Sequence, residues 1–170
     1  MKKLFTAIKK HDFDLVKKIL EEKPNLIDCV AKQPPKSDDG KSLLQVALKD
    51  GTIEIANYLL DKGANVNFIE SDTSANGWQM PVIQDAISLA IMKTRWCVID
   101  AHGNESVQHT KEESDEAFLL LKRMIDLGAD LNSIDSKGNT TIERATLQVS
   151  QILPMYNPNT GQYTEKKSNK

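Results

Sequence analysis

Residues 40–67 constrain the fold more than any other stretch, because two short apolar stripes of helical period lie there between glycines. The first stripe is Leu44, Ala47 and Leu48, and the second is Ile53, Ala56, Leu59 and Leu60. Gly51 separates the stripes and Gly63 follows the second, and glycine adopts the left-handed conformation that ends a helix at little cost. The stretch therefore predicts two short antiparallel helices.

The same stretch resembles one ankyrin repeat, in which a turn leads into two antiparallel helices and a glycine turn leads out. The residues that match the family pattern are Gly40, Ser42, Leu44, Ala47, Gly51, Leu59, Leu60, Gly63, Ala64, Val66 and Asn67. The second half of the pattern recurs as I-D-L-G-A-D-L-N at residues 125–132, and the first half as G-N-T-T-I-E-R-A at 138–145. Because both halves recur in order, the chain is identified as a member of the ankyrin repeat family.

The resemblance implies an all-α fold, an ankyrin-repeat solenoid of stacked antiparallel helix pairs with projecting turns, over residues 1–153. The predicted repeats span about residues 4–28, 40–67, 81–132 and 138–153, and the last is incomplete. Residues 154–170 are polar and lack a helical period, so they are predicted to form a C-terminal tail.

The third repeat is predicted to be interrupted between its two helices by an insertion at residues 92–113. We expect its first helix to extend through Trp96 and Val98 and its second helix to begin near Ser114, which can act as an N-cap. The repeats also depart from the family's T-P-L-H sequence. The central repeat has S-L-L-Q, ending at Gln45, so we expect a less regular stack than an idealised one.

Composition restricts the classes of partner and the compartment. The chain has 22 basic and 24 acidic residues and a net charge of −2, which gives no basic excess for nucleic acid. Its two cysteines are far apart and form no C-x-x-C motif, as expected for free thiols in the cytoplasm. The chain contains no apolar run of about 18 residues and no secretory signal pattern, so no membrane association is expected.

Groups that carry chemistry concentrate only in the insertion, at Cys97, Asp100, His102 and His109. Their spacing matches no metal-ligand pattern, and the chain contains no nucleotide-binding or metalloprotease motif. We therefore predict no catalytic residue, no metal and no cofactor, and we expect that the protein is not an enzyme.

The resemblance implies a rigid surface that binds another protein without chemistry. Our first hypothesis is a monomeric protein-binding module that covers its partner as an inhibitor, an adaptor or an immunity-type protein. A second is a subunit of a homo-oligomer or larger assembly that uses the insertion or the tail as its contact. A third, an enzyme that uses the insertion, is kept as an alternative.

In the family's geometry, the turns and the first helices line one concave side, which we predict to be the binding surface. Aromatic anchors dominate interface energies, so Trp78 is the first predicted anchor and Trp96 the second. The competing interpretation places both tryptophans in the core and assigns binding to polar residues of the turns. The other predicted surface residues are Asp38, Asp39, Gln45, Lys49, Asn76, Gln84, Ser88, Ser136, Lys137 and Glu143.

Overall fold

The computed structural model describes residues 1–71, 74, 75, 77–94, 97–99, 105–107, 109–152, 156, 157, 162 and 163. Its helices are α1 (Lys2–Lys9), α2 (Phe13–Glu22), α3 (Leu43–Lys49), α4 (Ile53–Asp61), α5 (Val82–Lys93), α6 (Lys111–Asp126) and α7 (Thr141–Ile152). Short 3₁₀ turns lie at Pro24–Asp28 and Lys36–Asp38. The predicted all-α fold is confirmed.

Two short antiparallel hairpins accompany the helices. Strand β1 (Cys97–Ile99) pairs with β2 (Glu105–Val107), and β3 (Tyr156–Asn157) pairs with β4 (Gln162–Tyr163). The first hairpin corrects the expectation that the third repeat's first helix extends through Trp96 and Val98. Helix α5 ends at Lys93, and the β-branched run that follows favours a strand.

Helix α6 begins at Lys111 rather than near Ser114, because Thr110 provides the stronger cap. The N–H of Glu113 donates to the Thr110 hydroxyl oxygen at 3.2 Å, and the Glu113 carboxylate accepts from the Thr110 N–H at 2.9 Å. This reciprocal pair satisfies two N–H groups of the first turn. It shortens the segment between α5 and α6 to residues 94–110.

The helices form two layers. The first helices of successive repeats, α1, α3, α5 and α7, pack side by side, and the second helices α2, α4 and α6 pack behind them. The apolar stripes predicted from the sequence meet between the layers, where Leu44, Leu48, Ala56 and Leu59 are fully buried, although Ile53 of the second stripe is only half-buried. This burial supplies the stabilisation that such short helices lack in isolation.

Three turns project from the stack, each closed at its base by one antiparallel bridge. The bridges join Val30 to Ser42, Ile69 to Pro81 and Ile134 to Thr140. We call these turns the first finger (residues 30–42), the second finger (69–81) and the third finger (134–140). Each finger ends at the residue before a first helix, so the stack sets the finger spacing.

The fingers contact one another directly. The N–H of Ala75 donates to the Asp39 carboxylate at 2.7 Å, which joins the first finger to the second. The N–H of Ser136 donates to the Gln79 carbonyl at 3.1 Å, which joins the second finger to the third. The three fingers therefore form one continuous edge, which we call the finger edge.

Gly40→Ala tests whether the first two fingers pack together. Gly40 has φ of +83°, and an added Cβ would lie 2.5 Å from the Ser74 Cβ, whereas Gly77 has φ of +74° and open space. Both alanine variants should lose about 1–2 kcal/mol from the left-handed backbone, and Gly40→Ala should lose more because of the clash. Urea unfolding of the two variants measures the difference. Equal losses would contradict the packing of these fingers.

Candidate functional site

The side-chain amide of Gln45 joins three elements at the base of the fingers. Its Nε2 lies 3.0 Å from Glu70 Oε1 in the second finger, 3.1 Å from the Met80 carbonyl and 3.2 Å from Asp85 Oδ2 in α5. Its Oε1 accepts from the Ser42 N–H at 3.1 Å. Because Gln45 is fully buried, these bonds replace the water that its amide loses on folding.

Lys41 and Glu70 form a buried ion pair beside this amide, with Nζ and Oε1 2.6 Å apart. Burial raises the pKa of Asp85 to about 6, although the Lys41 cation opposes the shift. The Lys41 cation thus lies near two carboxyl groups, those of Glu70 and Asp85, and the fold disfavours ionisation of Asp85. The cluster connects repeats two and three, with Lys41 and Glu70 buried and Asp85 half-buried.

Asp38 holds the first finger against the first helices. Its carboxylate accepts hydrogen bonds from Lys9 of α1 and Lys49 of α3, and the Asp38 side chain is buried. Burial alone would raise the pKa of Asp38, but the bonds from Lys49 and Lys9 outweigh it and leave the pKa below its ordinary value. Two lysines share one carboxylate here, so the site keeps an excess positive charge.

Trp78 lies on the finger edge with 40% of its surface exposed. The Arg144 guanidinium carbon lies 5.0 Å from the centre of its ring, and the Lys137 Nζ lies 5.6 Å from it. Both distances allow cation–π attraction, which limits the rotation of the indole. Arg144 Nε also lies 3.4 Å from Asp135 Oδ2, so the third finger and α7 together orient the tryptophan.

Asp135 shapes the third finger. Its Oδ1 accepts from the Lys137 N–H at 2.8 Å and the Asn139 N–H at 3.0 Å. Burial alone would raise the pKa of Asp135, but the N–H groups of Asn139 and Lys137 lower it further than burial raises it. An ionised Asp135 therefore fixes the finger that carries Lys137.

The structure brings part of the predicted surface together. Ser136, Lys137 and Glu143 are exposed near Trp78, and Lys49 is exposed beside the first finger. Asp39 is half-buried, with its carboxylate bonded to the Gln33 and Ala75 N–H groups. Ser88 is half-buried, and its hydroxyl donates to Gln148 Oε1 at 2.9 Å, which ties α5 to α7.

Three predicted contact residues are corrected. Asp38, Gln45 and Gln84 are buried in the fold, so they cannot touch a partner directly. For Asp38 and Gln45, the physical reason is that the fingers fold back over the starts of the first helices and cover polar groups that bond to one another. Gln84 is buried although its side-chain Oε1 has no hydrogen-bond partner among the described residues. Trp96 and Asn76 lie outside the described residues.

Sequence reasoning missed Arg144, which holds the indole face of Trp78. The available signal was its position beside the predicted surface residue Glu143, together with the frequency of arginine among interface anchors. It also missed the role of Lys9, whose partner Asp38 is 29 residues away in sequence.

In the insertion, His109 Nδ1 lies 3.4 Å from Lys93 Nζ and 3.6 Å from Glu113 Oε2, in a partly exposed polar cluster. Cys97 lies in β1, and Asp100 and His102 lie outside the described residues. Within the described part of the chain, no group of three or more histidine, cysteine and acidic side chains could hold a metal ion.

A second surface lies at the C-terminal end of the stack. Helices α5, α6 and α7 form an open apolar cavity of about 300 Å³ lined by Ile87, Ile91, Leu121 and Val149, among others. Phe118 at its rim is 60% exposed. We call this surface the apolar end face. None of the described residues that line its cavity forms an ion pair, in contrast to the residues of the finger edge.

The family model of the ankyrin repeat matches residues 39–71. A chain of the complex of a predatory endopeptidase from Bdellovibrio bacteriovorus with an immunity protein is similar at 16% identity and a TM-score of 0.41, over 89% of this chain and 94% of that one. The crystal structure of EF0377, an ankyrin repeat protein, is similar at 19% identity and a TM-score of 0.36, over 86% and 91%. No curated protein sequence matches the chain. In the described residues, no helix has the length and apolar character needed to span a bilayer.

Asp85→Asn tests the buried cluster through its pH dependence. The folded pKa of about 6 exceeds the ordinary value of 3.8, so ionisation of Asp85 destabilises the fold as pH rises from about 4 to about 6, and the loss persists above. Asparagine does not ionise. The free energy of unfolding of Asp85→Asn, measured relative to that of the wild type, should therefore be greater at about pH 8 than at about pH 5, by on the order of 1 kcal/mol.

Asp38→Asn is the matched control, because the fold lowers the pKa of Asp38 and raises that of Asp85. Because the pKa of Asp38 is lowered, its contribution is complete above its ordinary pKa and disappears only in stronger acid. This variant should lose the same stability at both pH values in urea unfolding. A pH-independent difference between Asp85→Asn and the wild type would show that Asp85 is not desolvated.

Proposed function

We propose that the finger edge binds another protein and covers part of that protein's surface, because residues 39–71 match the ankyrin repeat, a repeat that indicates a protein–protein interaction module. In this proposal the chain acts as an inhibitor or adaptor. We propose one interaction domain over residues 1–153, with residues 154–170 as a tail. The cytoplasmic location expected from the cysteines stays a prediction.

The observation that carries the proposal is the partly exposed indole of Trp78 on a preorganised edge. Interface energy concentrates in tryptophan and arginine anchors, and the contacts with Arg144 and Lys137 orient this ring before any partner arrives. A preorganised anchor loses little conformational entropy on binding. The interfinger hydrogen bonds support the same conclusion, because they hold the three fingers together as one surface.

The chemistry of the finger edge favours binding over catalysis. The carboxylates of Asp38 and Asp135 are already occupied by lysines or N–H groups, and their pKa values lie below the ordinary range. General acid–base work at neutral pH favours a pKa near 7 and access to a substrate. We therefore propose a module that recognises its partner and leaves it chemically unchanged.

Self-association through the apolar end face is the second candidate function. It is favoured by the exposure of Phe118, which lines the cavity, and of Ile142 and Leu147 on α7, because exposed apolar patches mark association sites. The occupant in this case is a second copy of the chain, whose identical apolar face would bury the first. A mass of one chain at all concentrations in sedimentation equilibrium would exclude it.

Trp78→Ala tests the proposed function. The protein captured from native cells by the wild-type chain should bind this variant more weakly, by about 2 kcal/mol or more, because truncation removes a central anchor. Leu119→Ala is the matched control, since Leu119 is 61% exposed on the second helix α6. Titration calorimetry gives both affinities, after circular dichroism has shown that both variants are folded.

Unchanged affinity of Trp78→Ala would by itself contradict the proposal, and Leu119→Ala could then lose affinity instead. That result would place the binding surface on the layer of second helices.

A further inference from the structure

We propose that the partner segment that lies against the finger edge is acidic, with carboxylates that pair with the lysines around Trp78. This inference rests on the proposed function, because it specifies the chemistry of the partner for the same surface. Two features support it: the distribution of charge between the two helix layers and the burial of the described carboxylates in the fingers.

The two helix layers carry opposite charge although the whole chain is nearly neutral. In the first helices, α1 has three lysines and α3 has one with no acid, while α5 and α7 each have one acid and one base, which gives a net charge of +4. The second helices α2, α4 and α6 have net charges of −1, −2 and −2. The side that carries the fingers is therefore the positive side of the stack.

Burial increases this asymmetry. The carboxylates described in the fingers belong to Asp38, Asp39, Glu70 and Asp135, and all are buried or half-buried. By contrast, Lys32, Lys36 and Lys137 of the fingers are exposed. Among the described finger residues, the acids thus face inward, whereas the cations face outward with the exception of Lys41, so a partner meets mostly positive charge there.

Glu143 is the exposed exception beside the fingers, and it is already engaged. Its Oε2 accepts from the Thr140 N–H at 2.7 Å and from the Thr140 hydroxyl at 2.9 Å, and these bonds lower the pKa of Glu143. This carboxylate caps α7 at its first turn, and it neutralises only part of the lysine charge nearby.

The site next to Trp78 shows how an acidic segment would fit. Arg144 is paired with Asp135, whereas Lys137 has no ion pair among the described residues. A carboxylate of the partner can therefore bind Lys137 while an adjacent apolar side chain covers the exposed part of the indole. Complementary charge of this kind raises the association rate and selects among partners.

A protein segment fits this surface better than a nucleic acid. A long polyanion approaching the fingers would also encounter the negative layer of second helices and a net charge of −2. A short acidic segment contacts the finger edge alone. The experiment must therefore distinguish binding of an acidic peptide from binding of an oligonucleotide.

The experiment measures binding of a fluorescein-labelled oligoglutamate peptide to the full chain by fluorescence anisotropy, with an oligothymidylate as the second probe. The test variant is Lys36→Glu with Lys137→Glu, which reverses two exposed finger cations. The control variant is Lys18→Glu with Lys122→Glu, which reverses two exposed cations of the second helices. Both variants carry the same net charge, so only the position of the change differs.

We expect the peptide to bind the wild type in a salt-dependent manner and to lose about tenfold or more in affinity in the finger variant, with less than about twofold loss in the control. Equal losses in the two variants, or no peptide binding at low salt, would overturn the proposal. Tighter binding of oligothymidylate than of the peptide, lost in the finger variant, would also overturn it.

The failures of the two proposals are distinguishable. If binding of the natural partner requires Trp78 but the peptide does not bind, the proposal of an acidic partner segment is wrong, and the proposed function of the finger edge stands. If Trp78→Ala leaves partner binding intact, the proposed function itself fails. Lys36→Gln with Lys137→Gln, which removes charge without reversing it, should show the same direction with a smaller loss, and urea unfolding confirms that each variant is folded.

Discussion

The hydrogen bonds of the Gln45 amide are the constraint on which the finger edge depends. One side chain bonds to its own helix start, to Glu70 and Met80 of the second finger and to Asp85 of the next repeat. Removing it would take this donor from the half-buried Met80 carbonyl and Asp85 carboxylate, while Glu70 would keep Lys41, and losing a partner of a desolvated acceptor costs more than the net gain of an ordinary hydrogen bond. The junction between repeats two and three is therefore polar and specific, in addition to the apolar packing of the helix layers.

These buried polar groups determine which charges are exposed on the finger edge. Asp38, Glu70 and Asp135 are held inside by lysines, by an amide or by backbone N–H groups. Their burial leaves exposed cations such as Lys36 and Lys137 in excess on the finger edge. Positive charge around an oriented tryptophan is thus a consequence of how the fingers fold back on the stack. The same bonds hold that surface in place before a partner binds.

The sequence predicted the helix pairs because their signal is local. The apolar stripes around Ala47 and Ala56 and the glycines at positions 51 and 63 act over a few residues, and the observed helices end where these glycines follow. The ankyrin resemblance then supplied the stacking. Trp78 was selected from its residue type and its place in a polar turn, and it does lie at the surface.

The burial of Gln45 and Asp38 could not be read from the sequence, because it depends on partners far along the chain. Gln45 meets Asp85 across 40 residues, and Asp38 meets Lys9 across 29. The central repeat has S-L-L-Q in place of the family's T-P-L-H, and this change disturbs the start of its first helix less than we expected. Ser42 and Gln45 form a reciprocal cap at the start of α3, while the Gln45 amide spans two repeats.

Hydrogen–deuterium exchange of the chain alone and bound to its captured partner tests the central claim that the finger edge is the binding surface. The account predicts that binding slows exchange of backbone amides in the described parts of the three fingers, around Ser37, Gly77 and Lys137, with little change in α2 and α4. Slower exchange confined to α2, α4 and α6, with the fingers unchanged, would contradict it.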